Sequence, residues 1–182
     1  ILKWKKKIDE EFPDQAYTLH PPHLTLITLE IENKLLECIE TLDLNYKHLP
    51  FEVKVDKKNI FWNDTITNGH TLFYEVEKNN KIFNLQKTIA DKLQKFKESI
   101  QLTNYKLHDK QAIESFNKYG YPFVGDHWIP HFTISSIKTR KDHPIIKDFL
   151  SFKEEYNFIV DRISIWEVNG DFHRKLKTFN LK

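Results

Sequence analysis

The sequence predicts a mixed α+β fold: bilobal, two pseudo-symmetric lobes of antiparallel strands with flanking helices around a central cleft. Three observations point that way. Stretches of period-two alternation and of period-3.6 apolar spacing interleave along the chain, with no linker or low-complexity tract between them. The segment Pro22-His23-Leu24-Thr25-Leu26 returns more than a hundred residues later as Pro130-His131-Phe132-Thr133-Ile134. Each copy sits in a half with its own strands and a helix, which reads as a weak internal duplication. The 182 residues, 40% apolar and 14% aromatic, are enough for one well-buried domain and too few for two ordinary ones, so residues 1–182 are read as a single domain.

Each element has its own signal. Trp4, Ile8 and Phe12 recur every four residues and predict a short amphipathic helix ending before Pro13, its basic face solvated. The first motif reads as a strand over about 22–31. A helix from about Asn33, capped by that Asn, to Leu42 would bury Leu35, Leu36 and Ile39. FEVKV alternates strictly, placing Phe51, Val53 and Val55 on one side of a strand. IFW at 60–62 and TLFYEVE at 71–77 read as further strands, separated by turn-prone Asn-Asp and Asn-Gly pairs. Ile82, Leu85, Ile89, Leu93 and Phe96 form the stripe of a longer helix starting near Asn79. Asp109 caps a helix stopped by Gly120, and YPFVGDHW leads into the second motif strand. A helix near 144–152 and strands at about 155–168 and 175–181 complete the chain.

Composition removes several classes of function. The formal charge is only +2 with pI about 8.5, carried almost wholly by Lys, with Arg140, Arg162 and Arg174 the only arginines. That is not the profile of a constitutive DNA coat. The single cysteine, Cys38, allows neither an intrachain disulfide nor a cysteine-based zinc cluster and favours a reducing, cytoplasmic setting. No apolar run approaches the roughly eighteen residues of a membrane span, and ILKWKKKIDEEF has charges where a signal sequence is hydrophobic. A protein without membrane attachment, and a monomer, is expected. The four glycines make no phosphate-cradling loop, which excludes Walker and Rossmann readings.

The motif pair is the informative feature. With nine His in 182 residues, His-x-Ser/Thr occurs about once by chance. Here the copies share a preceding Pro, an apolar β-like context and an aliphatic residue after the Thr. Along an extended segment side chains i and i+2 share a face, so each copy presents an imidazole and a hydroxyl together.

These residues resemble the 2H phosphoesterase superfamily, which includes 2′,5′ RNA ligase-like proteins, cyclic phosphodiesterases and viral 2′,5′-phosphodiesterases. The resemblance covers most of the chain: PHLTL and PHFTI, HTLFYEVE as the central strand before the long helix, WIPHFTI with its Trp-x-Pro lead, and FIVDRISIWEV followed by KTFNL as closing strands. One departure is the strand that members usually carry ahead of the first helix; it has no counterpart after Ile1. The resemblance implies two lobes around a concave antiparallel sheet and a reaction without a metal or other cofactor. It also implies RNA, oligonucleotides or cyclic nucleotides as substrates.

Cleaving a phosphodiester beside a free ribose hydroxyl requires a base for the nucleophile and an acid for the leaving oxygen. Two imidazoles with ordinary pKa near 6.5 supply both. His23 and His131 are the expected pair, their roles unassigned, with Thr25 and Thr133 donating to the non-bridging oxygens. Tyr121, Trp128 and Phe61 are candidate stacking partners, and Lys138 and Arg140 candidate phosphate contacts, although core packing and solvation are the plainer readings of each. His20 and His127 flank the motifs. Pro130 argues against helix between His127 and His131, and along a strand these two would be roughly 13 Å apart, too far to share a metal. No metal site is expected. The reading is a metal-independent phosphodiesterase acting on 2′,5′-linked oligonucleotides or 2′,3′-cyclic phosphates. The alternatives are a non-catalytic RNA or nucleotide binding module with the same cleft, or a 2′,5′ RNA end-joining ligase.

Overall fold

The structure is a computed structural model that describes residues 1–31, 33–42, 50–98, 109–151, 153, 155–169 and 172–181. Helix α1 (Leu2–Glu11) buries Trp4 and Ile8 as the spacing requires and closes with the Phe12 amide donating to the Ile8 carbonyl. Its basic face is not uniformly solvated: Lys5 is only 5% exposed. α2 (Leu35–Thr41) begins one residue later than expected, because Asn33 takes a left-handed φ of 54° and the cap falls on Lys34, which makes no side-chain capping bond. The helix is thereby turned. It buries Cys38 and leads to the buried Leu42, four residues on, while Leu35 and Leu36 are 36% and 77% exposed.

FEVKV and IFW prove to be one strand, β1 (Phe51–Asp64), which pairs antiparallel with β2 (Gly69–Val76). The polar stretch between the two apolar runs marks a register shift at Asp56: Val55 pairs with Val76 but Lys57 with Glu75. That bulge resets the alternation. Lys57, Asn59 and Phe61 share one face, while Ile60 stays in the core with Val53 and Val55. α3 (Asn80–Leu93) follows, capped as expected by Asn79, whose side chain accepts from the Lys81 amide at 2.8 Å. Its buried stripe runs through Ile82, Leu85, Ile89 and Leu93 to Phe96 in a single 3₁₀ turn.

α4 (Lys110–Tyr119) is capped by Asp109 and ended by Gly120 at φ 72°, a left-handed conformation that glycine adopts without strain. β3 (His131–Ile137) carries the second motif, and α5 (Pro144–Ser151) packs Ile145, Ile146 and Phe149 into the core; residue 152, the expected end of this helix, lies outside the described residues. The tail is three strands: β4 (Tyr156–Val160), β5 (Arg162–Asn169) and β6 (Phe172–Asn180).

The described strands form two antiparallel sheets of unequal size, ordered β3-β2-β1-β4 and β5-β6. One core cluster joins α1, α3, α5 and the inner face of the larger sheet, with Ile163, Ile165 and Phe179 of the smaller sheet, and Leu181 just after it, packed into it. Trp4 and Tyr74 both meet the Phe149 ring edge-on at 5.2 and 5.7 Å, so the helices sit on the β2 face that carries Leu72, Tyr74 and Val76. The opposite face of β2, with Phe73 and Glu75, is the one that β3 extends with His131 and Thr133.

The first motif is not a ladder strand. Segment 16–24 runs antiparallel along β3 but is joined to it by only two isolated bridges, Ala16 with Ser136 and Leu24 with Phe132. Pro21 and Pro22 have no amide to donate, and seven residues of this segment span three of β3, so a continuous ladder cannot form.

Candidate active site

Side chains replace the missing ladder. The Lys5 ammonium reaches from α1 to the carbonyls of Tyr17, Thr18 and Ile134, at 2.6, 3.4 and 2.8 Å. Thr18 and Ser135 share a buried hydroxyl hydrogen bond of 2.7 Å. Past the motif, Gln86 of α3, fully buried, donates to the carbonyls of Leu26 and Phe123 and accepts from the Gly125 amide. One glutamine thus ties the exit of the first motif to the approach to the second. Buried carbonyls of an irregular segment need donors, and these side chains provide them.

The bridge between Leu24 and Phe132 fixes how the motifs meet. In an antiparallel pair the residues either side of a bridged pair face each other, which sets His23 against Thr133 and Thr25 against His131. Leu24 and Phe132 turn inward and pack on the core. The four polar side chains therefore lie on the other face, each imidazole directly across from the other motif's hydroxyl, so that the two imidazoles occupy one diagonal and the two hydroxyls the other.

Both imidazoles are oriented in the same way. His23 Nδ1 lies 2.8 Å from the Pro21 carbonyl, and His131 Nδ1 lies 2.7 Å from the Ile129 carbonyl. A carbonyl can only accept, so each Nδ1 carries the hydrogen and each Nε2 is left to exchange a proton. The recurring Pro explains the geometry. It holds the preceding residue extended, so that residue's carbonyl is presented to the ring two positions on.

The surroundings differ. His23 is exposed, whereas His131 is half-buried between Phe61 and Phe73, whose ring centroids lie 5.3 and 5.0 Å from its own. Burial pushes the His131 pKa below its ordinary value of 6.5, and the nearby His23 pushes the same way; the Ile129 carbonyl and Glu75 oppose this without reversing it. His131 is thus held toward its neutral form.

Other candidate residues are divided by the fold. Phe61 reaches the site, stacked on Phe73 at 4.1 Å and edge-on to His131. Trp128 does not: it is 3% exposed and packs edge-on against Phe83, leaving no surface for a ligand. Tyr121 is half-buried against Phe123 and the small cluster of Ala90, Tyr119 and Val124. Lys138 and Arg140 follow the far end of β3, about 20 Å from His131 at strand spacing, and Arg140 lies 3.6 Å from Asp142. The His20 ring packs at a tilt against His173, centroids 4.1 Å apart, and His127 Nε2 contacts the Pro122 carbonyl at 2.6 Å. Among the described residues no group of three or more His, Cys, Asp or Glu is placed to hold a metal ion, and no helix is long and apolar enough to cross a membrane.

The motif reading missed residues that only the sheet register brings in. Glu75 pairs with His131, Phe73 with Thr133, and Asn59 with Phe73. The alternation of TLFYEVE was a signal that Phe73 and Glu75 share a face, but nothing in it named their neighbours. A sequence model of the family described as the 2′-5′ RNA ligase superfamily matches residues 1–172. No curated protein matches the chain.

Proposed function

The chain belongs to the 2′-5′ RNA ligase superfamily, and from that premise we propose that residues 1–182 form one phosphodiesterase unit that cleaves RNA-type phosphodiesters, either 2′,5′ linkages or 2′,3′-cyclic phosphates, by acid-base chemistry between His23 and His131. The observation that carries this reading is the matched pair of Nδ1 bonds to the Pro21 and Ile129 carbonyls. A histidine used only for packing has no reason to reserve Nε2, and here both do so on one face.

The difference in burial supports a division of labour. His131, whose pKa is held down by burial, is neutral at pH 7, and its Nε2 lone pair takes the proton of the attacking hydroxyl or water. His23, open to solvent, gives a proton from Nε2 to the leaving oxygen. A proton on His23 disfavours one on His131, which keeps the two roles apart. Thr25 and Thr133 hold the non-bridging oxygens where negative charge builds. With a 2′,5′ linkage the neighbouring 3′-hydroxyl attacks and leaves a cyclic phosphate; with a 2′,3′-cyclic phosphate, water attacks and opens the ring. The Phe61 ring, stacked on Phe73 beside His131, is the platform for a base or ribose.

A substrate panel tests this: 2′,5′-linked oligoadenylate, 3′,5′-linked RNA, RNA with a 2′,3′-cyclic end and cyclic dinucleotides, each with excess EDTA. Turnover of the 2′,5′ or 2′,3′-cyclic substrate, undiminished by chelator, is expected. Loss with EDTA restored by zinc would sink the two-histidine mechanism. Binding without turnover of any substrate would favour a binding module, and joining of 2′,5′ ends in place of cleavage would favour a ligase.

A further inference from the structure

We propose that Glu75 is the positioning residue of His131: its carboxylate, held in place by Asn59, is the counter-charge that lets a half-buried imidazole accept a proton. The proposal rests on the reading of His131 as base.

Three geometric facts support it. Glu75 and His131 are Cα partners across β2 and β3, and the Val76 amide donates to the Pro130 carbonyl at 2.8 Å. That bond marks Glu75 and His131 as a non-hydrogen-bonded pair, the kind whose Cα atoms stand only about 4.5 Å apart and whose side chains are closest. Second, the Asn59 side chain donates to a Glu75 carboxylate oxygen at 3.2 Å. Third, the Asn59 amide cannot turn the other way, because its own oxygen accepts from the Ile60 amide at 2.8 Å. A half-buried carboxylate held by a fixed donor is oriented before any proton moves.

Among the described residues, two titratable groups act on the imidazole's charge, Glu75 and His23. Glu75 faces it from β2, His23 from the segment alongside β3, and Lys57 stands one strand further on as the partner of Glu75 in β1. Phe61 and Phe73 supply the neutral walls. His23 and burial oppose a proton on His131, and Glu75 favours it. Glu75 and the Ile129 carbonyl are the two groups that favour the imidazolium that forms when the base has done its work, and Glu75 is the charged one.

Histidine Cε1–H resonances of the substrate-free protein, followed against pH, read this directly, with the His131→Ala spectrum identifying the signal. In Glu75→Gln the His131 midpoint should move to lower pH, and in Asn59→Ala it should move the same way by a smaller step. The acid limb of kcat/KM against pH should shift with it while KM stays the same. An unmoved midpoint in Glu75→Gln overturns the proposal. So does a variant whose only change is a raised KM, which would make Glu75 a substrate contact. If Glu75→Gln does not fold, an unmoved midpoint in Asn59→Ala is the overturning result. Because the titration needs no substrate, a protein that shifts as expected but cleaves nothing removes the proposed reaction and leaves the coupling of Glu75 to His131 standing.

Discussion

The two copies of one five-residue pattern are held by different means. The second, Pro130–Ile134, leads into β3 and is paired with β2 at His131, Phe132 and Thr133, so backbone pairing defines where His131 and Thr133 point. The first, Pro22–Leu26, has one bridge to β3; Gln86 of α3 holds its Leu26 carbonyl, and Lys5 of α1 ties the segment leading into it, at Tyr17 and Thr18, to Ile134 of β3. The same local sequence can therefore serve the same geometry with or without a ladder, provided the carbonyls that a ladder would satisfy find other donors. The cost of the second solution is that its integrity hangs on single side chains.

The largest expected effect removes the shared element. His23→Ala and His131→Ala should each lower kcat by about 10²–10⁴-fold, the range of a lost acid or base, with thermal unfolding little changed for the exposed His23. Near-normal turnover in either variant would show that its motif copy is not part of the chemistry, and the comparison of two equivalent copies would fail.

Next come the staples, which should matter for the first copy and hardly for the second. Gln86→Leu keeps the volume but strands the Leu26 and Phe123 carbonyls and the Gly125 amide. It should cost about 2–4 kcal/mol in denaturant unfolding. A loss below 1 kcal/mol would mean that the segment finds its donors elsewhere. In amide-exchange measurements on that variant, protection in β3 should outlast any around Leu26.

The smallest effect is a pH dependence. Burial holds the Lys5 pKa down to about 8 from 10.5. Since the folded value lies below the unfolded one, the unfolded chain binds more protons between these two, and folding stability should rise as pH climbs from about 8 towards 10.5. Lys5→Met should abolish that rise. An unchanged slope would place the ammonium in a better-solvated setting than its three carbonyl partners describe.

How far the sequence could be read depended on the range of the interaction. The caps at Asn79 and Asp109, the stop at Gly120 and the stripe from Ile82 to Phe96 were legible because cap, stop and period act within a few residues. The α2 cap was misjudged because Asn33 is as content in a left-handed turn as at a helix start, and its neighbours decide between the two. Lys5 looked like one more solvated lysine on a basic helix face. Only the arrival of Tyr17, Thr18 and Ile134 over α1 makes it a buried donor. The split between FEVKV and IFW was read as two strands because the bulge at Asp56 breaks the alternation without ending the strand.

By itself the chain determined its family, its α+β class and a repeated Pro-His-x-Thr pattern that, through the proline, sets the orientation of each ring. The tertiary structure decided the crossing of the motifs, the inequality of the two imidazoles and the company of Glu75, Asn59 and Phe73. Those depend on strand register and burial, and register is settled by which side chains pack across a sheet, a sum over distant residues that no local pattern contains.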